Sequence, residues 1–289
     1  MTVQELYTHA LQSLTGEMPQ GEALWTARIL SEDILGITRT EMHVRPERVV
    51  LPESVTRMEQ CLERVLGGEP VQYVIGHQLF MGMDLEVNPS VLIPRPETAS
   101  LVDAIIDKFS EKKDLEVLDV GTGSGCIALA LARGLKFPTV TATDISNDAL
   151  QTAMENARRL QVKNIRFIES DALKPWPFAD DCFDIIVSNP PYVLESERAG
   201  LDKRVSEHEP STALFVPDND PLMFYYAITR AATRTLKPGG SLYFEGNPLT
   251  LETLKNELND SPVWADVNTW RDDSGRVRFL NATKVTSNL

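Results

Sequence analysis

The chain has 289 residues, of which 42% are hydrophobic and 24% are charged, and these values are typical of a globular protein. Its 42 acidic residues outnumber its 28 basic residues, which gives a formal net charge of −14. This charge disfavours nucleic acid as a direct partner, because the surface repels phosphate backbones on average. The length favours one large domain and a smaller one.

The cysteines and the amino-terminal segment indicate where the protein works. Cys61, Cys126 and Cys182 lie far apart without CxxC spacing, so neither a disulfide framework nor a zinc site is expected. The four histidines share no ligand spacing, and no metal site is predicted. The first 14 residues lack the regions of a signal peptide, and no apolar run approaches the roughly 18 to 20 residues of a membrane helix. These features predict a protein of the reducing cytoplasm without membrane contact.

Three segments near the amino terminus have apolar residues at helical spacing. They run from Val3 to Leu14, from Leu24 to Leu35 and from Val55 to Leu66. The spacing predicts three amphipathic helices that end near Gly67-Gly68 and bury their apolar faces in a small bundle. Residues 1–70 are therefore assigned to a helical domain.

Residues 71–98 follow a different pattern. The pieces VQYVI and MDLEVN are β-rich and are separated by Gly76 and Gly82, which predicts a β-hairpin. The segment VLIPRPET, residues 91–98, predicts an extended linker, because proline restricts both its own backbone and that of the preceding residue.

Strands and helices alternate beyond Ala99. The predicted strands are LEVLDV, TVTATDI, IRFIES, FDIIVSN and SLYFEG. Helices are predicted from about Cys126, through Leu160, over 221–236 and after SLYFEG. The alternation predicts an α/β domain over residues 99–289, in which a parallel sheet has helices on both faces. VRFLNATKV near the end is predicted to add an edge strand.

A glycine-rich segment connects the first of these strands to its helix. In LDVGTGSGCIALALA, Gly121, Gly123 and Gly125 would let backbone N–H groups and the helix amino terminus approach a ligand. Asp144 ends the next strand, where its carboxylate can accept hydrogen bonds from ribose hydroxyls. Nicotinamide dinucleotide and S-adenosylmethionine both contain adenosine and fit this pair. The spacing GxGxG favours S-adenosylmethionine, which has no pyrophosphate for the helix to hold.

Two further strands end in polar residues: Asp171 follows the third strand and Asn189 follows the fourth. The carboxyl ends of parallel strands lie on one edge of a sheet, where open α/β folds bind ligands. The four strand ends together therefore predict a single ligand cleft.

The tetrapeptide Asn189-Pro190-Pro191-Tyr192 is the candidate acceptor site. Prolines are also a common way to end a strand, so this tetrapeptide alone does not decide between a structural and a functional role. Neither proline nitrogen donates, so the Asn189 side-chain oxygen and the Pro190 carbonyl could accept the two hydrogens of a planar –NH2 group. The Tyr192 ring would cover the face of that group. This arrangement would direct the nitrogen toward an activated methyl group.

The chain resembles the HemK/PrmC family, protein-(glutamine) methyltransferases that act on class I peptide chain release factors. The resemblance rests on GGEPVQYVIGHQLFMGMDLEVNPSVLIPRPET, LDVGTGSGCIALALA, TDIS, IVSNPPYV and LKPGGSLYFE, and extends from Gly67 to about Glu245. It implies a Rossmann-like, class I S-adenosylmethionine-dependent methyltransferase preceded by a small helical substrate-recognition domain. NPPY alone is shared with amino-methyltransferases of DNA, so an enzyme acting on DNA or RNA bases is the alternative. A donor-binding module without catalysis and a dehydrogenase are weaker alternatives.

The resemblance also implies roles for individual residues. The implied cofactor contacts are Gly121, Thr122, Gly123, Ser124, Gly125, Asp144, Asp171, Ala172 and Asn189. Asn189, Pro190, Pro191 and Tyr192 would hold the glutamine of the release factor's GGQ loop, with Asn189, Pro190 and Tyr192 in catalytic roles. Relatives often have an acid where this chain has Ala99, an aromatic residue at Ala172, and a glutamine within the segment that here reads GNPLT. Adenine stacking is therefore expected to be weaker at Ala172, or to come from Trp176.

Overall fold

A computed structural model describes residues 1–286 of the chain. The elements in chain order are α1 (Val3–Leu14), α2 (Gln20–Leu35), α3 (Arg39–Val44), α4 (Pro52–Leu66), α5 (Val71–Ile75), β1 (His77–Phe80), β2 (Met83–Glu86), α6 (Pro96–Phe109), β3 (Glu116–Val120), α7 (Cys126–Gly134), β4 (Thr139–Asp144), α8 (Asn147–Arg159), β5 (Ile165–Glu169), β6 (Phe183–Ser188), β7 (Val193–Leu194), a 3-10 helix (Glu195–Gly200), α9 (Lys203–His208), α10 (Ser211–Leu214), β8 (Phe215–Val216), α11 (Met223–Thr235), β9 (Leu236–Glu245), α12 (Pro248–Asn259), β10 (Trp264–Arg271) and β11 (Val277–Lys284). In this range no helix is both long enough and apolar enough to cross a membrane.

The chain folds into two compact units. The first comprises Met1–His77 and Asp202–His208, and the second comprises Gln78–Leu201 and the chain from Glu209 onward. The three predicted amino-terminal helices are confirmed as α1, α2 and α4, and their apolar faces form the core of the first unit. A capping box begins α1: Thr2 Oγ1 accepts from the Glu5 amide at 3.2 Å, and the Glu5 carboxylate accepts from the Thr2 amide at 2.7 Å.

The predicted hairpin is wrong in its first strand. VQYVI forms the helix α5, because Val71 and Val74 pack into the core of the first unit and this burial overrides their β propensity. The strands that pair are β1 and β2. Met81 and Gly82 connect them, with φ values of 47° and 73°, as a two-residue hairpin turn requires.

The predicted linker is shorter than expected, because its last three residues begin a helix. Pro96 occupies the first turn of α6, where a missing N–H costs nothing and the fixed φ suits the helix. Residues 96–98 of the predicted linker are therefore helical, and Thr98 is buried.

The sheet of the second unit is mixed, which corrects the predicted parallel sheet. Within the described residues its seven strands run in the order β10-β11-β9-β6-β3-β4-β5. The five strands from β9 to β5 are parallel, whereas β11 pairs antiparallel with β9 and β10. The segment VRFLNATKV forms β11, which is an interior strand, so the edge position predicted for it is wrong. The edge is β10, which the sequence analysis did not identify.

Helices cover both faces of this sheet, as predicted. One face contributes Val117, Val187 and Tyr243 to a core that includes residues of α6 and α7, called here the first core of the sheet. The other face contributes Leu118 and Phe244 to a core with residues of α11 and α12, called the second core. Successive strand residues thus alternate between the two cores, which fixes the direction of each side chain near the strand ends.

Candidate active site

The register of the parallel strands defines a row of residues at the carboxyl edge of the sheet. Val120 pairs with Thr143 on one side and with Ser188 on the other, Ser188 pairs with Phe244, and Asp144 pairs with Glu169. The residues that follow Phe244, Ser188, Val120 and Thr143 form a row across the edge, and Glu169 extends it through its pairing with Asp144. The row contains Glu245, Asn189, Gly121, Asp144 and Glu169, in that order.

The glycine segment follows β3 and has the backbone that its glycines permit. Gly121, Gly123 and Gly125 have φ values of 75°, 54° and 84°. A Cβ added at Gly121 or Gly123 would meet no atom within 4 Å, so both positions border open space. A Cβ at Gly125 would lie 3.1 Å from Leu129 Cδ1 and 3.2 Å from Ala153 Cβ, so this glycine allows close packing instead.

Asp144 is hydrogen-bonded to the glycine segment and lies beside this open space. Its Oδ2 accepts from the Gly123 amide and its Oδ1 from the Ser146 amide, both at 2.9 Å. Burial raises the pKa of this carboxyl, and these backbone hydrogen bonds oppose the rise. Gly123 and Asp144, both predicted to contact the cofactor, are therefore hydrogen-bonded to each other.

Asp119 is a site residue that the sequence analysis missed. It is fully buried under the glycine segment, and Thr122 Oγ1 donates to its Oδ2 at 2.7 Å. Burial raises its pKa to about 7. Asp119 Oδ1 and Ser124 Oγ are buried and have no hydrogen-bond partner among residues 1–286. The signal in the sequence was a single acid in an apolar strand, directly before the glycines.

Asn189 lies next to Gly121 in the row. Ser188 Oγ donates to the Val120 carbonyl at 2.7 Å and ties the end of β6 to β3. The Asn189 side chain is half-buried, and its carboxamide makes no hydrogen bond to any residue that the structure describes. It is therefore free to bind a ligand. Pro190, the next residue, is buried.

Tyr192 completes the tetrapeptide. Its half-buried ring packs against the second core, and Arg278 Nη1 donates to its hydroxyl oxygen at 3.4 Å. Arg278 in turn contacts Asp272 Oδ2 at 3.4 Å. Burial raises the pKa of Tyr192 to about 12, so the ring stays neutral at physiological pH. Arg278, which the sequence analysis did not identify, thus holds the tyrosine in place from β11.

Glu245, at the end of β9, is another residue that the sequence analysis missed. Its side chain is 1% exposed, and Thr98 Oγ1 donates to its Oε2 at 2.8 Å. Burial raises its pKa to about 7. The Tyr225 hydroxyl donates to its backbone carbonyl at 3.1 Å. A buried carboxyl therefore adjoins the NPPY segment on the side away from the glycines.

The predicted cofactor contacts Asp171 and Ala172 follow β5, beyond the Glu169 end of the row. Asp171 follows β5, but its Oδ1 accepts from the Leu173 amide at 2.9 Å, and Lys174 Nζ lies 3.5 Å from its Oδ2. Ala172 is half-buried and packs against the second core. Trp176 is 6% exposed and meets Phe178 edge to face, so it has no open face for stacking. The expectation that Trp176 could replace an aromatic residue at Ala172 is not supported.

These residues suit S-adenosylmethionine. The open space at Gly121 and Gly123 accepts a ligand close to the backbone, and the Asp144 carboxylate can bind ribose hydroxyls. The unpartnered Asp119 Oδ1 and Ser124 Oγ can bind polar groups of the same ligand. A family model described as "Methyltransferase domain" matches residues 111–275. The second unit is a Rossmann-like, class I methyltransferase domain, and its cofactor is S-adenosylmethionine.

Comparison with known proteins identifies the family. The model described as "PrmC N-terminal domain" matches residues 5–76. The release factor glutamine methyltransferase of Bacteroides thetaiotaomicron is 37% identical over 275 residues, which cover 94% of this chain and 97% of the relative. That of Koribacter versatilis is 36% identical over 287 residues, or 99% and 100% of the two chains. The chain belongs to the family of release factor glutamine methyltransferases.

Among solved structures, the SAM-dependent O-methyltransferase from Thermotoga maritima is 15% identical to this chain with a TM-score of 0.47, over 72% of this chain and 70% of that chain.

Proposed function

We propose that the protein methylates the side-chain amide nitrogen of the glutamine in the GGQ motif of class I peptide chain release factors. The observation that carries the proposal is the unpartnered Asn189 carboxamide, which lies between the glycine segment and Glu245. A free carboxamide at that position suits an amide substrate, because an amide group offers both donors and an acceptor. Membership of the family supports glutamine as the acceptor.

The chain's own residues contribute mainly orientation. An amide nitrogen is a poor nucleophile, because its lone pair is delocalised into the carbonyl. The Asn189 oxygen and the Pro190 carbonyl accept its two hydrogens and aim the nitrogen at the glycine side of the cleft. S-adenosylmethionine supplies the activated methyl group. Fixing an amide nitrogen in line with such a group is worth several kcal/mol of the barrier.

Tyr192 covers the face of the bound amide. Its ring is fixed by the second core and by the Arg278 guanidinium, so little side-chain freedom is lost when the substrate binds. Because the hydroxyl stays protonated at neutral pH, the ring adds no negative charge next to the methyl donor.

The first unit recognises the release factor in this proposal. It has a groove of about 420 Å³, lined by apolar side chains that include Tyr7, Trp25 and Met42. Arg39 also lines the groove, and Arg45 and Arg48 follow it in the sequence. These three exposed arginines form no ion pair with any described residue. Glu41 and Glu47 lie in the same segment, and Arg45 and Arg48 help to lower the pKa of Glu41. Residues 39–48 therefore have a small net positive charge on a chain of net charge −14, which suits an acidic region of a protein partner.

The experiment is an assay of purified release factor by intact mass, with and without the methyl donor. We expect one added methyl group on the wild-type factor and none when the GGQ glutamine is replaced. Methyl transfer to the replaced factor would contradict the glutamine assignment. Transfer to nucleic acid but not to protein would favour a base methyltransferase, which the net charge disfavours.

Cytoplasmic location belongs to the same proposal and is supported by three free cysteines.

A further inference from the structure

Glu245 and Asn189 project from the same face of the sheet. Tyr243 lies in the first core and Phe244 in the second, so alternation returns Glu245 to the first face. Val187 lies in the first core as well, and Asn189 is two residues further along. Neighbouring strands are about 4.8 Å apart. Glu245 is therefore the neighbour of Asn189 on the adjacent strand and on the same face, next to the carboxamide that holds the amide in the proposed function.

The surroundings of Glu245 orient its carboxyl and leave one oxygen free. Oε2 accepts from Thr98, whereas Oε1 makes no hydrogen bond among residues 1–286. Burial raises the pKa of this carboxyl, whereas the Thr98 hydroxyl and the positive charge of Arg278 lower it. The other titratable and charged groups that interact with it are Arg95 and Glu97 at the start of α6, Cys126 on α7, Tyr192 after β6 and Tyr225 on α11.

Methylation of an amide nitrogen requires a proton acceptor. The nitrogen gains a bond to carbon and becomes positively charged, so one N–H bond must break. The oxygens of Asn189 and Pro190 are amide oxygens, which are far less basic than a carboxylate. The structure offers Glu245 as the buried carboxyl that adjoins them.

We propose that the Glu245 carboxylate takes up the proton released from the glutamine amide during methyl transfer. This inference rests on the proposed function. As the nitrogen–carbon bond forms, the carbon–sulfur bond of the donor breaks and its electron pair stays on sulfur. One N–H then gives up its hydrogen bond to the Asn189 oxygen, the N–H bond breaks, and the proton moves to Glu245 Oε1. The carboxylic acid loses this proton to solvent before the next turnover. Before proton transfer, the negative carboxylate also stabilises the positive charge that develops on nitrogen.

The proposal predicts a specific pH dependence. The ionised carboxylate is the active form, so kcat should rise with pH through the pKa of Glu245, which lies near 7. Glu245→Gln keeps the shape and can still accept the Thr98 hydrogen bond, but cannot take up a proton. We expect it to lower kcat at pH 8 by about 100-fold or more and to abolish the rise. Donor affinity, measured by calorimetry, should stay unchanged.

Two further variants separate this role from a structural one. Glu116→Gln removes a carboxylate at the opposite edge of the same sheet, and its pH profile should match that of the wild type. Thr98→Val removes a hydrogen bond that lowers the pKa of Glu245, so the rise in kcat should move to higher pH.

The outcomes distinguish this inference from the proposed function. If the wild-type protein methylates the release factor but Glu245→Gln keeps its kcat and its pH profile, Glu245 is not the proton acceptor. An unshifted profile in Thr98→Val would oppose the proposal in the same way, even where Glu245→Gln fails to fold. If the wild-type protein methylates no release factor at any pH, the proposed function itself is wrong.

Discussion

Asn189 is the residue at which the proposed acceptor role can be tested separately from donor binding. Its carboxamide adjoins the glycine segment but does not build it, since Asp144 and the backbone of that segment hold each other. We therefore predict that Asn189→Ala lowers kcat by about 100-fold, because the amide is no longer aimed at the methyl group. Donor affinity should change little. Steady-state kinetics and calorimetry with the donor measure the two effects separately.

Asn189→Asp is the matched control for this prediction. Its carboxylate can still accept a hydrogen bond from the amide, so it should keep more activity than the alanine variant. Equal losses of kcat and donor affinity in Asn189→Ala would mean that Asn189 holds the donor and not the acceptor.

The candidate site residues that the sequence predicts belong to contiguous patterns, and the residues it missed come together only on folding. The glycines, Asp144 and NPPY stand at strand ends that periodicity alone locates. Glu245 is a single acid after an apolar strand, and its partner Thr98 is 147 residues away. Trp176 is the opposite case. Its position in the sequence suggested stacking on adenine, but folding buries it in the core.

The segment GNPLT, where the chain departs from the family pattern, connects β9 to α12 and begins that helix. In GNPLT, the Asn247 side chain accepts from the Leu249 amide at 2.9 Å, and Pro248 takes the first helical position. We predict that Asn247→Ala destabilises the protein by about 1 kcal/mol, through loss of this amino-terminal cap. Urea unfolding of the two proteins measures the difference.

Asn247→Asp should retain the stability of the wild type, because a carboxylate also caps a helix and suits its positive end. A loss in Asn247→Asp as large as in Asn247→Ala would show that packing of the residue matters, and not its hydrogen bond.

Elements with regular periodicity were predictable, and elements decided by context were not. The strand β10 has exposed polar positions and two register shifts, and Asp266 within it has a φ of 49°. Apolar and polar residues therefore do not alternate regularly along β10, and its sequence does not predict a strand. The helix α5 was missed for another reason, since Val71 and Val74 favour strands until the core of the first unit is present.

At the scale of the whole molecule, sequence and structure differ most in the order and direction of the strands. Alternating strands and helices predicted the sheet with its layers, but the order of strands depends on pairings between distant segments. The antiparallel strands β10 and β11 follow a run of parallel strands, and nothing local marks that change of direction. Residues 202–208 group with the first unit although they are far from it in sequence.

The charge distribution of the molecule leads to a prediction about its partner. Arg39, Arg45 and Arg48 are exposed and unpaired among the described residues, and the chain as a whole is strongly acidic. If they bind an acidic region of the release factor, replacing all three with serine should raise KM for that factor by about tenfold and weaken its salt dependence. The value of kcat should not change, because the cleft that binds the amide is intact.

A second triple variant separates local from overall charge. Arg133, Lys163 and Arg230 are exposed residues of the second unit without ion pairs in the described chain, and replacing them with serine alters the net charge equally. We expect this variant to keep the wild-type KM. An equal rise of KM in both triple variants would mean that the effect comes from the overall charge of the protein. A direct contact with the partner would raise KM only for the variant that removes the contacting arginines, because distant exposed charges are screened at physiological salt.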